Sequence, residues 1–209
     1  MRRLQNIMNQ VRYYFKKYGF VKTVKKVVLK TYTKIFRREQ EAHLVSEREK
    51  YQIWIKNNEP DEKQLEEQKN TKFKIEPKFS LVVPMYNTPV NFFEELVDCL
   101  INQTYSNWEL CLADGSPKEN EEIKPILEKD ERIKYKFLNE NKGISGNTNE
   151  ALKLATGDYI ALLDHDDLIP RFCLYELTKT INEHPDVEFI YTDEDKIETT
   201  QATRRDPHF

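Results

Sequence analysis

The stretch Gly157-Asp158-Tyr159-Ile160-Ala161-Leu162-Leu163-Asp164-His165-Asp166-Asp167 decides the fold of this chain. Its apolar centre, Tyr159–Leu163, has the length and composition of a buried parallel strand, and three carboxylates stand directly after it. In open α/β sheets, ligands bind outside the carboxyl ends of the strands. We therefore expect these acids to lie at a ligand-binding edge of a sheet.

The three carboxylates, Asp164, Asp166 and Asp167, predict a cation site. Like charges this close repel one another unless something neutralises them. A hard divalent cation such as Mg²⁺ or Mn²⁺ does so, and it commonly takes one or two carboxylates together with the phosphates of a ligand. The alternative is an acidic turn in water. A calcium EF-hand is a poor fit, because that loop needs glycine at its sixth position, where Ile169 stands.

Composition divides the chain into a basic arm and an acidic body. Of 33 Lys and Arg residues, 12 lie in the first 38 positions, which hold no acid; the remaining 21 stand against 36 Asp and Glu residues, a net charge of −15. A length of 209 residues accommodates one domain of usual size and an appendage. Cys99, Cys111 and Cys173 lack metal-ligand spacing, which favours buried thiols in a reducing cytoplasm over a disulfide.

Residues 1–38 are predicted to form a basic amphipathic helix, whose apolar and aromatic residues gather on one face. This pattern favours the surface of an anionic membrane. A helix packing on a partner chain is the main alternative; we expect no nucleic-acid partner, because phosphates make no use of an apolar stripe. We assign 1–57 to a helical arm, the polar segment 58–77 to a linker and 78–209 to the body. No apolar stretch reaches the length of a membrane span, so the body is expected to be cytoplasmic.

From Phe79 onward, strand and helix patterns alternate, which predicts an α/β fold with a mostly parallel sheet flanked by helices. The predicted strands are Phe79–Val83, Trp108–Ala113, Ile133–Leu138, Tyr159–Leu163 and Val187–Tyr191. The predicted helices are Val90–Asn102, Glu119–Lys129, Ser145–Ala155 and Phe172–Glu183, preceded by one over Glu41–Lys56.

Each of the first strands ends in a polar or glycine-bearing turn, and these turns are expected along one edge of the sheet. The loop Pro84–Pro89 carries an aromatic ring and an amide suited to a nucleobase, and Asp114 can accept a hydrogen bond from a base N–H. The loop 139–147 opens a helix, where backbone N–H groups favour a diphosphate. Taken singly, each is as well explained by packing, an ordinary turn or a helix entrance. Together they predict one site for base, phosphates and metal.

The chain resembles the family 2 glycosyltransferases of the GT-A fold, specifically bacterial members that build cell-surface polysaccharides. The resemblance covers about 79–209. It is carried by Ser80-Leu81-Val82-Val83-Pro84-Met85-Tyr86-Asn87, Gln103-Thr104-Tyr105-Ser106-Asn107-Trp108-Glu109-Leu110, Ala113-Asp114-Gly115-Ser116, Leu163-Asp164-His165-Asp166-Asp167 and Tyr191-Thr192-Asp193-Glu194-Asp195-Lys196.

The resemblance implies a nucleotide-sugar donor, UDP- or dTDP-linked, and inversion at the anomeric carbon by direct displacement. It also implies a site residue by residue. Pro84, Tyr86 and Asp114 fall at the nucleobase; Asn87 and Asn147 fall near ribose and diphosphate, with Gly143 in the loop beside them; Asp164 and Asp166 form the D-x-D motif that holds the ribose and a Mg²⁺ or Mn²⁺ ion. His165, between the two acids, is interpreted as a spacer.

The resemblance further implies a glycan or lipid-linked acceptor and a peripheral location at the inner face of the plasma membrane. Its general base is expected beyond Phe209 together with the acceptor half, so the chain is expected to carry the donor half only. Asp114 stands alone where many members have two consecutive acids. A nucleotidyltransferase and a non-catalytic nucleotide-binding or membrane scaffold protein, with or without a partner chain, are the competing interpretations.

Overall fold

The computed structural model describes residue 32, residues 49–200 and residues 203–208. Two compact units are present, one formed by Pro60–Thr192 and the other by the described residues that precede Pro60 or follow Thr192. The predicted arm 1–38 lies outside the described residues except for Tyr32. Of the helix predicted over Glu41–Lys56, the described part is helical, and this helix, α1, covers residues 49–58.

The larger unit contains a four-stranded parallel sheet with the strand order β3-β2-β1-β4. The predicted α/β class, with a mostly parallel sheet flanked by helices, is therefore confirmed. Its strands are β1 Phe79–Met85, β2 Trp108–Asp114, β3 Ile133–Phe137 and β4 Tyr159–Leu162. Its helices are α2 Glu62–Lys69, α3 Val90–Ile101, α4 Lys124–Leu127, α5 Gly143–Leu152 and α6 Cys173–Glu183, with a 3-10 turn at Glu121–Ile123.

The two central strands form the core of this unit. β1 and β2 pair in register from Phe79 opposite Trp108 to Met85 opposite Asp114, and every residue of β2 is buried. Burial on both faces explains why the sequences of these strands are nearly continuous apolar runs and do not alternate apolar with polar residues. The apolar face of α3 packs on the main core with Phe93, Leu96, Val97 and Leu100, while α5 places Ala151 against Val82 and Cys111 on the other core cluster.

The predicted linker 58–77 contains a helix. α2 begins with a capping box, in which the Asp61 side chain accepts from the Gln64 backbone and the Gln64 side chain accepts from the Asp61 backbone. Its Leu65 is buried, and Thr104 donates to the Gln68 side chain at 2.9 Å. This segment is thus a packed part of the Pro60–Thr192 unit.

Two further predicted elements differ from the structure. The helix predicted over Glu119–Lys129 is divided into the 3-10 turn and the single turn α4, because Pro125 is tolerated only in the first turn of a helix. The strand predicted at Val187–Tyr191 is wrong: this segment pairs with no strand among the described residues. Val187 and Ile190 still pack on the core, whereas Phe189 and Tyr191 are exposed, which explains the misleading apolar pattern.

The smaller unit contains α1 and an antiparallel pair, β5 Lys196–Thr200 and β6 Thr203–His208. The Tyr51 hydroxyl donates to Asp195 Oδ2 at 2.8 Å, and the Tyr51 ring stacks on Trp54. Burial and the neighbouring Asp195 carboxylate raise the pKa of Tyr51 to about 12. None of the helices in the described ranges is long and apolar enough to cross a membrane.

Candidate functional site

The carboxyl ends of the parallel strands surround a cavity of about 300 Å³. It lies where β1 meets β4, which is where the chain changes direction within the sheet, and open α/β sheets bind ligands at such a switch point. Six of the residues predicted for the site line it: Pro84, Tyr86, Gly143, Asn147, Asp164 and Asp166. The structure therefore brings together turns that the sequence places far apart.

The other two predicted residues, Asn87 and Asp114, line a larger neighbouring cavity of about 490 Å³. Its floor comes from the turns after β1 and β2, and its far wall from residues 118–123. Met85, the last residue of β1, lines both cavities. A ligand long enough to span both would cross the end of β1.

Asp114 is held in place by neighbours that the sequence did not reveal. Ser116 donates to Asp114 Oδ1 twice, from its backbone N at 2.9 Å and from its hydroxyl at 2.5 Å, while the Tyr135 hydroxyl donates to Oδ2 at 3.1 Å. Burial, followed by the Asp114 charge, raises the pKa of Tyr135 well above its usual range, so Tyr135 remains a proton donor. Oδ2 keeps one lone pair for a further donor, since each carboxylate oxygen can accept two hydrogen bonds.

The turn after β1 is tied to the turn after β2. The Asn87 backbone N donates to Ser116 Oγ at 2.8 Å, and Gly115 N donates to Met85 O at 3.0 Å. Asn87 has a φ of 49°, in the left-handed region that asparagine tolerates better than most residues. The Asp-Gly-Ser sequence could have indicated a turn closed by its own aspartate, but the cross-link to Asn87 depends on the pairing of β1 with β2.

The loop between β3 and α5 is organised by Asn147, which is only 2% exposed. Its Oδ1 accepts from Lys142 N at 3.1 Å, and its Nδ2 lies 3.3 Å from Asn141 Oδ1 and 3.4 Å from Met85 O. A Cβ on Gly115 would lie 2.5 Å from Asn147 Nδ2, so glycine is needed there for close approach. The fixed Asn147 amide thus joins the loop to the end of β1.

Glu150 supports the same loop from the side away from the cavity. Lys136 on β3, Lys142 in the loop and Lys153 after α5 all donate to its carboxylate, at 2.7, 3.1 and 2.8 Å. These hydrogen bonds hold the pKa of Glu150 well below its usual range. Gly146 makes room for the Lys142 stem, because a Cβ there would lie 2.4 Å from Lys142 Cβ. Gly146 therefore serves packing in this loop.

The predicted metal ligands are exposed at the mouth of the smaller cavity. Asp164 and Asp166 both line it, and a turn closed by Asp167 N donating to Asp164 O at 3.2 Å presents them. His165 also lines it, and its Nδ1 is buried 4.0 Å from Asp166 Oδ1 with no hydrogen-bond partner among the described residues.

The chemistry of this pair fits a shared cation. Within the described ranges no three His, Cys, Asp or Glu side chains form a cluster that could hold a metal by themselves. Two solvent-facing carboxylates at a cavity mouth are nevertheless what Mg²⁺ and Mn²⁺ take when phosphate oxygens complete their coordination. The donor set therefore fits an ion bound together with a phosphorylated ligand.

A parallel sheet whose carboxyl strand ends carry acids, amides and a glycine-bearing loop is an open α/β domain of the type that binds ligands at this edge. Residues 80–208 match the sequence model of the family described as Glycosyl transferase family 2, which is more than half of the chain. The chain therefore belongs to the family 2 glycosyltransferases, and the resemblance inferred from its motifs is confirmed.

Curated relatives share the matched region. An uncharacterised protein of Sinorhizobium fredii is 41% identical over 136 residues, which cover 64% of this chain and 15% of that protein. The Escherichia coli UDP-Glc:alpha-D-GlcNAc-diphosphoundecaprenol beta-1,3-glucosyltransferase WfgD is 37% identical over 43% of this chain and 35% of its own length. The chain thus spans well under half the length of these relatives.

Among solved structures, the crystal structure of S. aureus TarS is similar at 27% identity and a TM-score of 0.47. The similarity covers 57% of this chain and 20% of that one.

Proposed function

We propose that this chain binds a nucleotide-diphosphate sugar and carries the donor-binding part of an inverting, metal-dependent glycosyltransferase with the GT-A fold. The observation that supports it best is the convergence of four strand-end turns on two adjoining cavities in a member of family 2. The larger cavity takes the nucleobase beside Asp114, and the smaller one takes the diphosphate beside Gly143 and Asn147. The donor passes over Met85 between them. In this arrangement Pro84 and Tyr86, expected at the base, lie on the diphosphate side, and Asn87, expected near the ribose and diphosphate, lies on the base side.

Asp164 and Asp166 would hold a Mg²⁺ or Mn²⁺ ion with the diphosphate. When bound, such an ion acts as a Lewis acid that stabilises the departing nucleoside diphosphate. The chain's own residues position the donor: Tyr86, which is 45% exposed, presents its ring at the cavity rim, and Asp114 accepts from the base. Holding the donor in one orientation lowers the entropic part of the barrier to displacement.

We propose further that the acceptor is lipid-linked or a growing surface glycan. The name of the Escherichia coli relative supports the first of these, because it gives a diphosphoundecaprenol-linked sugar as a substrate of that protein. Inversion requires a carboxylate that removes the acceptor proton. Because both cavity-mouth acids are proposed to serve the donor and its metal, we assign the base to neither.

The proposed location is the inner face of the plasma membrane, with the basic segment 1–38 as the contact. Its 12 positive charges without an acid support attraction to anionic lipid. Sedimentation with phosphatidylglycerol vesicles tests this: binding that falls with salt and is lost without residues 1–38 is expected. Equal binding by the shortened chain contradicts it.

Calorimetry tests the donor site directly. We expect the protein to bind UDP or dTDP more tightly with Mn²⁺ than with EDTA, because the carboxylates and the diphosphate share the ion. A panel of UDP, dTDP, GDP, CDP and ADP identifies the base. If no nucleotide binds in a metal-dependent way, the donor-site assignment is wrong.

Proton NMR of slow donor hydrolysis tests the stereochemistry. We expect the sugar first released from a UDP-α-sugar to be the β-anomer, as direct displacement by water requires. Release of the α-anomer would contradict an inverting mechanism while leaving the nucleotide site intact.

A further inference from the structure

Thr88 contains a buried hydroxyl that the fold does not use. The residue is 8% exposed, it lines the larger cavity, and its Oγ1 has no hydrogen-bond partner among the described residues. Most buried side-chain polar atoms are hydrogen-bonded, so this hydroxyl is an exception that calls for a partner other than the described residues. By contrast, the hydroxyl of the neighbouring cavity residue Ser116 donates to Asp114 and accepts from Asn87.

Helix capping does not explain this threonine. A Thr at the start of a helix ordinarily accepts from a backbone N–H of the first turn. Here Pro89 is the N-cap residue of α3, and the Phe93 backbone N donates to Pro89 O at 3.1 Å. Thr88 stands one position too early to cap, and its side chain makes no capping hydrogen bond.

The charge of the larger cavity indicates which part of a nucleotide belongs there. Its lining contains Asp114, Glu119, Glu121 and Glu122 against the single cation Lys118. Such a wall repels phosphate and attracts the polarised N–H groups of a base. The Asp114 carboxylate, which only accepts when ionised, selects a base edge that offers a ring N–H.

A rotation of the Thr88 side chain about χ1 would turn its hydroxyl toward the larger cavity. Thr88 Oγ1 is covered in this structure, yet the residue as a whole lines the cavity wall. Turning χ1 by one staggered step exchanges the hydroxyl for the methyl group, and threonine accepts more than one χ1 rotamer readily. A ligand oxygen in the cavity then supplies the partner that the described residues do not.

We propose that Thr88 is a base-selecting residue, whose hydroxyl donates to the carbonyl oxygen next to the ring N–H that Asp114 accepts. Uracil, thymine and guanine present this N–H and carbonyl pair, whereas cytosine and adenine do not. The inference rests on the proposed function, because it assumes a nucleotide in the larger cavity.

The substitution Thr88→Val tests it, since valine keeps the shape and removes the hydroxyl. Calorimetry with UDP, dTDP, GDP, CDP and ADP in Mn²⁺ is expected to show about tenfold weaker binding of the preferred nucleotide, the effect of one lost hydrogen bond to a ligand. Preference over CDP and ADP is expected to shrink by a similar factor. Thr88→Ser, which keeps a hydroxyl, is expected to restore most of the preference.

Thr178→Val is the matched control. Thr178 is fully buried in α6, and its hydroxyl donates to Leu174 O at 2.7 Å. We expect this control to lower the melting temperature and leave nucleotide affinity unchanged, while Thr88→Val leaves the melting temperature equal or higher, because it removes an unsatisfied group. This opposite pattern separates ligand recognition from a structural role.

The outcomes distinguish the inference from the proposed function. If nucleotides bind and Thr88→Val has the affinity and preference of the unchanged protein, the role of Thr88 is overturned and the donor site stands. The role is also overturned if Thr88→Val lowers the melting temperature as Thr178→Val does. If the unchanged protein binds no nucleotide, the proposed function fails first, and this inference fails with it.

Discussion

Carboxylates stand at both ends of the parallel sheet, and their surroundings differ. At the amino end, Glu109 on β2 is 1% exposed, and it accepts from the Ser80 hydroxyl at 2.7 Å and from Thr156 N at 2.5 Å. Lys78 and Lys134 pair with it as well, the second at 2.9 Å. At the carboxyl end, Asp164 and Asp166 face solvent at a cavity mouth.

The different surroundings indicate different roles for Glu109 and for the acids at the carboxyl end. Burial alone raises the pKa of Glu109, but the hydrogen bonds from Lys78, Lys134, Ser80 and Thr156 outweigh it and hold that pKa well below its usual range. The Glu109 carboxylate is therefore satisfied by hydrogen bonds and ion pairs within the fold. The side chains of Asp164 and Asp166 accept no hydrogen bond from the described residues, which supports their proposed role as ligands of a bound ion.

The largest expected effect is on ligand binding at the carboxyl end. Replacing both acids, Asp164→Asn with Asp166→Asn, is expected to weaken Mn²⁺-dependent nucleotide binding by at least about 100-fold, beyond the 10–100-fold typical of outer-shell metal partners. Calorimetry measures it, and the midpoint of denaturant unfolding is expected to stay unchanged.

Asp186→Asn is the control for the loss of acidic charge, since Asp186 is exposed and lies outside both cavities. It is expected to bind nucleotide normally. If the double variant binds nucleotide in Mn²⁺ as tightly as the unchanged protein, Asp164 and Asp166 do not bind a ligand, and the proposed difference between the two ends of the sheet is wrong.

The next largest effect concerns stability at the amino end. We expect Glu109→Gln to lower the free energy of unfolding by about 2 kcal/mol, because breaking a buried ion pair strands its partners; Lys78 and Lys134 are partly exposed, which moderates the loss. Urea denaturation measures it. Glu121→Gln, which breaks an exposed pair with Lys124, is expected to lower the free energy of unfolding much less, because solvent screens that pair.

The same variant predicts a pH dependence. Since folding lowers the pKa of Glu109, its contribution is fully present above the ordinary glutamate pKa of about 4.3 and is lost as pH falls below it. The stability gap between the unchanged protein and Glu109→Gln should therefore narrow below about pH 4. A gap that is constant from pH 7 to pH 3 would mean that Glu109 is not held ionised.

The smallest effects come from two glycines, one at each end. A Cβ on Gly157 would lie 2.5 Å from the backbone oxygen of Lys78, whereas a Cβ on Gly115 would meet the side-chain amide of Asn147. We expect Gly157→Ala to cost about 1–2 kcal/mol of stability, as overpacking does, without changing affinity. Gly115→Ala is expected to displace Asn147 and so weaken nucleotide binding about threefold. A loss of this size corresponds to the free energy of one mildly strained contact.

Each glycine variant serves as the control for the other, with stability from urea denaturation and affinity from calorimetry. If Gly115→Ala costs stability alone, Asn147 has only a structural role at the carboxyl end.

Three strands of the sheet were predictable as short, largely apolar runs bounded by polar turns, whereas β3 alternates Lys134 and Lys136 with apolar residues. The run Tyr159–Leu163 was expected to be buried, but Ile160 and Leu162 are 45% and 74% exposed, because β4 lies at the edge of the described four-stranded sheet. The order of the strands was not needed to place the site, since all four carboxyl ends point the same way in a parallel sheet. Val187–Tyr191 has a similar apolar pattern but pairs with no strand in the described part of the chain. The pattern of one sequence does not show which strands pair, so this segment could not be distinguished from a strand.

The details of the site escaped prediction for a related reason. Tyr135 lies on a strand whose pattern indicates only packing, and its hydrogen bond to Asp114 exists because β3 pairs with β2. Thr88 looked like any loop threonine, and its significance comes from a missing partner, which only atomic positions reveal.

Met85 lines both cavities and the turn around it, residues 84–88, contributes to both, but the other walls come from different stretches of the chain. The larger cavity is completed by residues 114–123, and the smaller one by residues 141–147 and 164–166. Substitutions that avoid the contact between Gly115 and Asn147 can accumulate in one stretch without disturbing the other. Under the proposed function, descendants of such a domain can therefore exchange one nucleotide for another while keeping the same phosphate and metal ligands.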